Sequence, residues 1–263
     1  MKKRPVVLKF GTGILAREGG CCLDDAQFRR LCSEIAELCK AGIPCIVVSS
    51  AAVAAGVDAL KLSKRPSDLA GKQACAAVGQ PVLMTAYARH FARHGLRPAQ
   101  LLLTHDDIFN PGRRRNANVT LAKLLASPGV VPIINENDSV AVEELRFGDN
   151  DRLSSEVACL VKARLLLLLT SADGLLARPD SSGKGVRIPV VTEIDKAFQH
   201  VTPEKGEHST GGMLAKLQAV QLAVTAGIET VIAHGRKKGH LLKAVRGEDV
   251  GTRFPVKKRS ARK

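Results

Sequence analysis

Short apolar runs alternate along this chain with longer segments in which apolar residues recur at helical spacing. Runs bounded by Gly, Pro, Asn or Asp favour buried strands, whereas recurrence at three, four and seven residues favours amphipathic helices. Strands are predicted at residues 6–10, 45–48, 100–103, 130–134, 165–169, 188–191 and 229–233. No linker separates these elements from the helices between them. The alternation predicts an α/β fold: a doubly wound, largely parallel sheet with helices on both faces.

The clearest helical segment begins at Asp24 and Asp25 and ends at Gly42 and Pro44. Its apolar face consists of Phe28, Leu31, Cys32, Ile35, Leu38 and Cys39. A second segment, residues 72–94, opens with the small-residue sequence K-Q-A-C-A-A-V-G-Q, which predicts close packing against another helix. Further helices are predicted at residues 119–126, 153–162, 213–226 and 240–246.

The composition supports one large folded unit whose core contains few aromatic rings. Of the 263 residues, 45% are hydrophobic and only 3% are aromatic, so the core must consist of Leu, Val, Ile and Ala. This length suffices for one large α/β domain or for two fused lobes. We predict a single domain over residues 1–253 and a basic C-terminal tail over residues 254–263.

The formal net charge is +15, and the C-terminal region carries much of the excess. From Arg236 onward, eleven Lys and Arg residues stand against two acidic residues, Glu248 and Asp249. Such a basic end either binds nucleic acid or another acidic surface, or is simply solvated. Nucleic-acid binding is disfavoured because the chain offers few aromatic side chains on which bases could stack.

The seven cysteines fit neither a zinc site nor a disulfide framework, because there is no C-x-x-C pair and their number is odd. A reducing compartment, the cytoplasm, is therefore expected. Lys9 interrupts the apolar run near the N-terminus, so this segment does not resemble a signal peptide. The longest apolar run, residues 165–169, is far too short to span a bilayer, and no membrane association is predicted.

Two acidic bursts flank the segment 140–147. The first, Asn135-Glu136-Asn137-Asp138, follows a predicted strand, and the second is Asp149-Asn150-Asp151. Ligands of open parallel sheets bind beyond the carboxyl ends of strands, which makes both bursts candidate binding residues. The alternatives are a solvated turn for one burst and a simple helix N-cap for Asp151. A cap alone does not explain the first burst.

A glycine turn with a nearby lysine follows the first strand. Gly11 and Gly13 would let backbone N–H groups face a phosphate, with Lys9 as a point charge. The spacing Gly11-x-Gly13-x-x-Ala16 also fits a loose dinucleotide fingerprint. That signal is weak, because the second strand ends in two serines rather than an acidic residue. Lys9 could also be a strand-end lysine that reaches water.

A second glycine turn, Thr210-Gly211-Gly212-Met213, precedes the helix that carries Lys216. Paired glycines at a helix start suit the approach of a phosphate, and Lys216 lies about one turn into the helix. The alternative is an ordinary exposed helix lysine. Ser50 begins another turn of small residues, where its hydroxyl either contacts an anion or caps the next helix.

Two glycine turns with lysines and an Asn/Asp cluster together favour phosphoryl transfer. Its transition state spreads negative charge over the moving group, so catalysis is mostly positioning and cationic stabilisation. Lysines supply the charge, and glycine turns supply N–H groups. Carboxylates hold Mg²⁺ or the ammonium group of a substrate.

Three motifs resemble those of the glutamate 5-kinase family, a branch of the amino-acid kinases: N-E-N-D at 135–138, G-D-N-D at 148–151 and G-G-M-x-x-K at 211–216. The resemblance extends from Val6 to about Arg236. It implies that the protein uses ATP, with Mg²⁺, to phosphorylate the γ-carboxylate of L-glutamate. The product is γ-glutamyl phosphate, and this reaction is the first step of proline biosynthesis. Members of this family are often inhibited by proline and form homo-oligomers, so a dimer or tetramer is expected. We expect these 263 residues to comprise the kinase domain without the PUA domain that many bacterial members carry.

The resemblance also assigns roles to residues. The implied catalytic residues are Lys9, Lys216 and Asp151, with Asp151 organising the lysines or the metal ion. The implied substrate-binding residues are Ser50, Asn135, Asp138, Asp149 and Asn150. The implied ATP-binding residues include the glycines of both turns. They are Lys9, Gly11, Gly13, Thr170, Ser171, Thr210, Gly211, Gly212, Met213 and Lys216.

Four positions depart from the family pattern: Ala51, Ser171, Leu176 and Ser209. Ala51 stands where the family usually has glycine, and Ser171 replaces an aspartate. Two alternatives therefore remain. One is a related kinase acting on acetylglutamate, aspartate, carbamate or a nucleoside monophosphate. The other is a catalytically impaired regulatory or nucleic-acid-binding homologue.

Overall fold

The computed structural model of the protein describes residues 3–140, 150–177, 185–201 and 212–256. Its centre is one seven-stranded sheet. The strands are β1 (Val6–Phe10), β2 (Cys45–Ser49), β3 (Arg97–Leu103), β4 (Val130–Glu136), β5 (Leu165–Thr170), β6 (Glu229–His234) and β7 (Thr252–Phe254). Five of the seven predicted strands match within two residues, and β3 begins three residues earlier than predicted.

Helices cover both faces of the sheet. They are α1 (Thr12–Leu15), α2 (Asp25–Lys40), α3 (Ala52–Ala59), α4 (Leu69–Ala92), α5 (His105–Phe109), α6 (Pro111–Ala126), α7 (Asn150–Leu160), α8 (Ile194–Ala197), α9 (Met213–Thr225) and α10 (His240–Arg246). A short 3₁₀ helix, Phe198–His200, follows α8. In the part of the chain described, no helix is long and apolar enough to cross a membrane.

The strand order is β3-β4-β2-β1-β5-β6-β7, with β1 to β6 parallel and β7 antiparallel to β6. The predicted doubly wound, largely parallel sheet is thereby confirmed. Successive connections place β2, β3 and β4 on one side of β1, and β5, β6 and β7 on the other. The direction of winding therefore reverses at β1, and ligands of such sheets bind at this switch point, beyond the carboxyl ends of the strands.

Alternation along β1 decides which helices its side chains meet. Val6, Leu8 and Phe10 join the hydrophobic cluster that includes α2, α4 and α10. Val7 joins the cluster on the opposite face, which includes α7 and α9. Lys9 is two residues after Val7, so its side chain lies on the same face of the sheet, toward α7 and α9. It is a charged residue, yet it is only 5% exposed.

The small-residue segment predicted to pack closely against another helix does so in α4. A Cβ atom at Gly79 would lie 1.9 Å from the Ala52 carbonyl oxygen, and one at Gly56 would lie 1.8 Å from the Cys75 carbonyl oxygen. Glycine at both positions therefore lets the backbones of α3 and α4 touch. This contact fixes α3 directly behind the end of β2.

Two sequence-based expectations need correction near the C-terminal half. Residues 188–191 do not form a strand, because Arg187 and Val190 make only isolated bridges, with Leu176 and Arg253. Phe254, which the sequence placed at the start of the tail, is the last residue of β7 and is 1% exposed. The packed structure thus continues at least through Phe254.

Candidate active site

A buried carboxylate lies between two lysine ammonium groups at the carboxyl end of β1. Asp151 Oδ1 is 2.6 Å from Lys9 Nζ, and Asp151 Oδ2 is 2.9 Å from Lys216 Nζ. The Asp151 side chain is fully buried, whereas the lysine side chains are 6% and 10% exposed. Charged groups are rarely buried to this extent unless they are paired. The sequence alternatives of a solvated Lys9, an exposed Lys216 and a merely capping Asp151 are therefore not observed.

Three different elements bring these groups together. Lys9 comes from β1, Asp151 is the second residue of α7, and Lys216 is the fourth residue of α9. Helices α7 and α9 pack against each other, and Ser155 Oγ donates to the Ala219 carbonyl oxygen at 2.8 Å. The spacing of the two ammonium groups is therefore set by the packing of two helices on the central strand.

The first glycine turn lies next to the Lys9 ammonium group. A Cβ atom at Gly11 would be 3.4 Å from Lys9 Nζ, so glycine keeps the space beside the ammonium open. Arg236, just after β6, donates to the carbonyl oxygens of Gly13, at 2.9 Å for Nε, and of Ala16. It also pairs with Asp24 at 3.2 Å. Arg236 thereby ties the turn after β1 to the end of β6.

Asn150 occupies the position next to Asp151 and is 6% exposed. Its Nδ2 lies within hydrogen-bond distance of three oxygens: Ser49 O at 2.7 Å, Asn135 Oδ1 at 2.8 Å and Ser50 Oγ at 3.1 Å. Three of the predicted substrate-binding residues therefore form one hydrogen-bonded group at the ends of β2 and β4 and the start of α7.

The turn that carries Ser50 has a strained backbone. Ala51 is the N-cap residue of α3 and has φ 82° and ψ 9°, in the left-handed region. An L-residue with a Cβ atom is disfavoured there, and glycine is not. This conformation gives a physical reason for the glycine that the family resemblance leads us to expect at this position. Ser50 is not the cap, so that alternative is also not observed.

The remaining predicted residues lie along the same edge of the sheet, less closely connected. Asp138 is half-buried, two residues beyond the end of β4. Thr170 ends β5 and its carbonyl oxygen accepts from Gly235 N at 2.8 Å, while Ser171 is exposed. Gly212 and Met213 begin α9. Asp149, Thr210 and Gly211 lie outside the described residues, as does Ser209.

Charged side chains continue beyond the ends of β5 and β6. Asp173 pairs with Lys237 at 2.5 Å, and this hydrogen bond holds the pKa of Asp173 below its usual value. Burial lowers the pKa of His234 and of His240 nearby. Neutral imidazoles are therefore favoured beside the ion pair.

Sequence reasoning missed several polar residues that support this site. Gln80 accepts from Asn135 Nδ2 at 2.9 Å, and Tyr87 hydroxyl and Ser49 Oγ are 2.9 Å apart. Gln80 belongs to the small-residue segment that we interpreted only as a packing motif. A glutamine within a segment predicted to pack closely could have suggested a buried polar group, although not its partner.

Comparisons with known proteins agree with this geometry. Residues 4–234 match the model of the amino acid kinase family. The chain is 46% identical to a glutamate 5-kinase of Trichlorobacter lovleyi, over 95% of this chain and 67% of that protein. It is 45% identical to one of Carboxydothermus hydrogenoformans, over 97% and 69%, and 41% identical to one of Thermus thermophilus, over 98% and 69%.

The chain thus spans about two thirds of the length of these relatives. A solved structure of UMP kinase from Bacillus anthracis superposes with a TM-score of 0.64, covering 98% of each chain at 14% identity. At that identity the likeness shows the fold alone. The sequence relatives are far more similar, at 41–46% identity over 95–98% of this chain. The chain belongs to the amino acid kinase family and, within it, to the glutamate 5-kinases.

Proposed function

We propose that this protein transfers the γ-phosphoryl group of ATP to the γ-carboxylate of L-glutamate, which is the first step of proline biosynthesis. The observation that carries this proposal is the buried carboxylate of Asp151 shared by Lys9 and Lys216. It lies at the switch point of the sheet, where ligands of this fold class bind. Glutamate is proposed because the relatives that cover most of this chain are glutamate 5-kinases.

The two lysines are the proposed catalytic cations. During phosphoryl transfer, negative charge spreads over the oxygens of the moving group and shifts toward the leaving ADP. Fixed ammonium groups stabilise that charge without reorganising. Asp151 neutralises part of their mutual repulsion and holds both side chains at a defined spacing. It is therefore proposed to act on the phosphoryl group through the lysines.

ATP is proposed to enter as its Mg²⁺ complex, and the cation supplies charge neutralisation on the phosphates. No group of three or more His, Cys, Asp or Glu side chains among residues 3–140, 150–177, 185–201 and 212–256 could hold a metal ion. Mg²⁺ does not require one, because it usually keeps several waters and binds phosphates with one or two carboxylates. The chain therefore fits a cation that arrives with ATP. Since Asp151 faces one ammonium with each oxygen, we assign it to the lysines.

The amino-acid end of glutamate is proposed to bind Ser50, Asn135, Asp138, Asp149 and Asn150. Ser50, Asn135 and Asn150 already form one hydrogen-bonded group beside Asp151. Asp138, beyond the end of β4, is a carboxylate suited to the substrate ammonium. The turns at Gly11 and Gly13 and at Thr210 to Met213, together with Thr170 and Ser171, are proposed to bind ATP.

Further properties are proposed from the family and from the cysteines. All seven cysteines are free, which supports a reducing compartment, the cytoplasm. A homo-oligomer, either a dimer or a tetramer, and inhibition by proline are proposed by analogy with the family. No observation favours nucleic acid as a partner.

An ADP-release assay with a panel of acceptors tests the proposed function. With MgATP, L-glutamate should stimulate ADP release, and hydroxylamine should trap the acyl phosphate as a hydroxamate. N-acetylglutamate, aspartate, carbamate and UMP should be poor acceptors. The Lys216→Met variant serves as the control that assigns the activity to this site. ADP release that does not depend on glutamate, or that N-acetylglutamate stimulates more strongly, would contradict the proposal.

A further inference from the structure

Four carboxamide side chains form a continuous line from the edge of the sheet to the candidate active site. Gln100 lies on the edge strand β3 and is exposed. Its Oε1 accepts from Gln80 Nε2 at 2.8 Å, and Gln80 Oε1 accepts from Asn135 Nδ2 at 2.9 Å. Asn135 Oδ1 then accepts from Asn150 Nδ2 at 2.8 Å. We call Gln100, Gln80, Asn135 and Asn150 the amide relay.

Two backbone groups determine which way every amide in the relay points. The Glu136 N–H donates to the Asn135 side chain at 2.9 Å, so the atom there must be Oδ1. Asn135 Nδ2 therefore faces Gln80, so the Gln80 atom that accepts this hydrogen bond must be Oε1. At the other end, the Ser49 carbonyl oxygen accepts at 2.7 Å, so the Asn150 atom beside it must be Nδ2. Neither asparagine can flip without placing like groups face to face.

The fixed orientation leaves one atom for a ligand. Asn150 Nδ2 faces Ser49, Ser50 and Asn135, whereas Asn150 Oδ1 is buried and has no hydrogen-bond partner in the described part of the chain. A buried acceptor without a partner is costly, and the cost is recovered when a ligand donates to it. Asn150 contacts Ser50 and Asn135, two residues proposed to bind the amino-acid end of glutamate, so we assign its partnerless oxygen to that end of the substrate. A substrate ammonium, with three N–H donors, has the matching chemistry.

We propose that Gln80 and Gln100 are positioning residues for the amino group of the substrate. They hold Asn135, and through it Asn150, in the orientation that presents Asn150 Oδ1 as an acceptor. This inference rests on the proposed function and adds residues that do not themselves touch the substrate. Gln80 is nearly buried and acts directly on Asn135, while Gln100 acts one step further away.

The relay predicts that losing Gln80 weakens binding of the amino group and leaves phosphoryl transfer intact. In Gln80→Leu, Asn135 Nδ2 loses its acceptor, and the KM for L-glutamate should rise about tenfold with kcat and the ATP KM within about threefold. Loss of one hydrogen bond of this kind corresponds to roughly that factor. Gln80→Glu should retain a near wild-type glutamate KM, because a carboxylate still accepts from Asn135. Gln100→Leu should give a smaller increase, since the inner links remain.

A substrate comparison makes the test specific for the amino group. Glutarate lacks the amino group of L-glutamate, so the wild-type preference for glutamate in kcat/KM reports on binding of the ammonium. Gln80→Leu should reduce this preference about tenfold, and Gln80→Glu should restore it. The matched control is Gln221→Leu, which removes a half-buried glutamine whose side chain hydrogen-bonds only to Asp195 in the described part of the chain, at 3.0 Å. It should leave the preference unchanged.

The outcomes separate the inference from the function on which it rests. If the wild-type protein releases no ADP with glutamate, the proposed function is wrong, and the role inferred for the amide relay is wrong as well. If the wild type is active and Gln80→Leu keeps the full preference for glutamate over glutarate, the relay alone is wrong. Equal loss with both acceptors, accompanied by a lower melting temperature, would show that Gln80 is only structural and would overturn the proposal as well.

Discussion

At the scale of single residues, the site depends on one buried carboxylate, that of Asp151, which is paired with two lysine ammonium groups. Removing one partner of a buried ion pair leaves an uncompensated charge and typically costs about 3–5 kcal/mol. Asp151 therefore matters for folding as well as for the proposed chemistry. Variants at Lys9, Asp151 and Lys216 must first be shown to be folded, by circular dichroism and by their melting temperature.

Ala51 carries measurable backbone strain, because its φ of 82° lies in the left-handed region. Holding an L-residue there costs about 1–2 kcal/mol, and glycine avoids this but loses about 0.5–1 kcal/mol in backbone entropy. Ala51→Gly should therefore raise the free energy of unfolding by about 0.5–1 kcal/mol, measured by urea denaturation. Ala54→Gly, inside α3 with helical backbone, should lower it by about 1 kcal/mol. A destabilised Ala51→Gly variant would contradict the strained conformation.

Asp25 predicts a pH-dependent contribution to stability. The hydrogen bond with His90, at 2.8 Å, holds its pKa below the usual 3.8, and Arg89 and Arg29 act in the same direction. A carboxyl whose folded pKa is lowered stabilises the protein above its unfolded pKa and loses this effect as the pH falls through the folded value.

Asp25→Asn should thus lower the free energy of unfolding at pH 7, and the deficit should shrink below pH 3.8. Urea denaturation at pH 7, 5 and 3 measures this. A deficit that is constant at all three values, or that grows on acidification, would rule out the proposed ion pair as its source.

Among the secondary-structure elements, the contact between α3 and α4 is the most sensitive. Gly79→Ala would place a methyl group 1.9 Å from the Ala52 carbonyl oxygen, which forces the backbones apart. We expect a loss of about 3 kcal/mol or more in the free energy of unfolding, at the upper end for overpacking. Gly112→Ala is the control, since its methyl group would meet only Asn110 Oδ1, at 3.4 Å, on an exposed helix. That variant should be neutral or slightly more stable, and an equally mild Gly79→Ala would argue against the contact.

Periodicity predicted most elements because the sheet is buried and its strands are nearly continuous apolar runs. It failed where stability comes from distant partners. Residues 188–191 have strand composition, but only isolated bridges are available to them. Arg97 and Pro98 are part of β3 only because β4 pairs with them.

For the whole molecule, the order of strands explains why distant motifs meet. Lys9, Asp151 and Lys216 are separated by 142 and 65 positions, yet β1, α7 and α9 bring them to one point. Their chemistry could be predicted from residue types and from the family resemblance. The amide relay could not, because glutamines on α4 and β3 give no local signal of the asparagines that they contact. The close pairing of Arg236 with the turn after β1 was missed for the same reason.

One shared carboxylate is proposed to hold the two lysine ammonium groups at the spacing needed for phosphoryl transfer to glutamate, and Asp151→Asn tests this proposal most directly. The substitution keeps the shape of the side chain but removes its charge, so Lys9 and Lys216 should repel each other and lose their spacing. In a glutamate-dependent ADP-release assay on folded protein, kcat should fall on the order of 10²–10³-fold, as for loss of one fixed electrostatic donor, while both KM values stay within about threefold. A kcat close to wild type, or a loss confined to the KM for glutamate, would contradict the account.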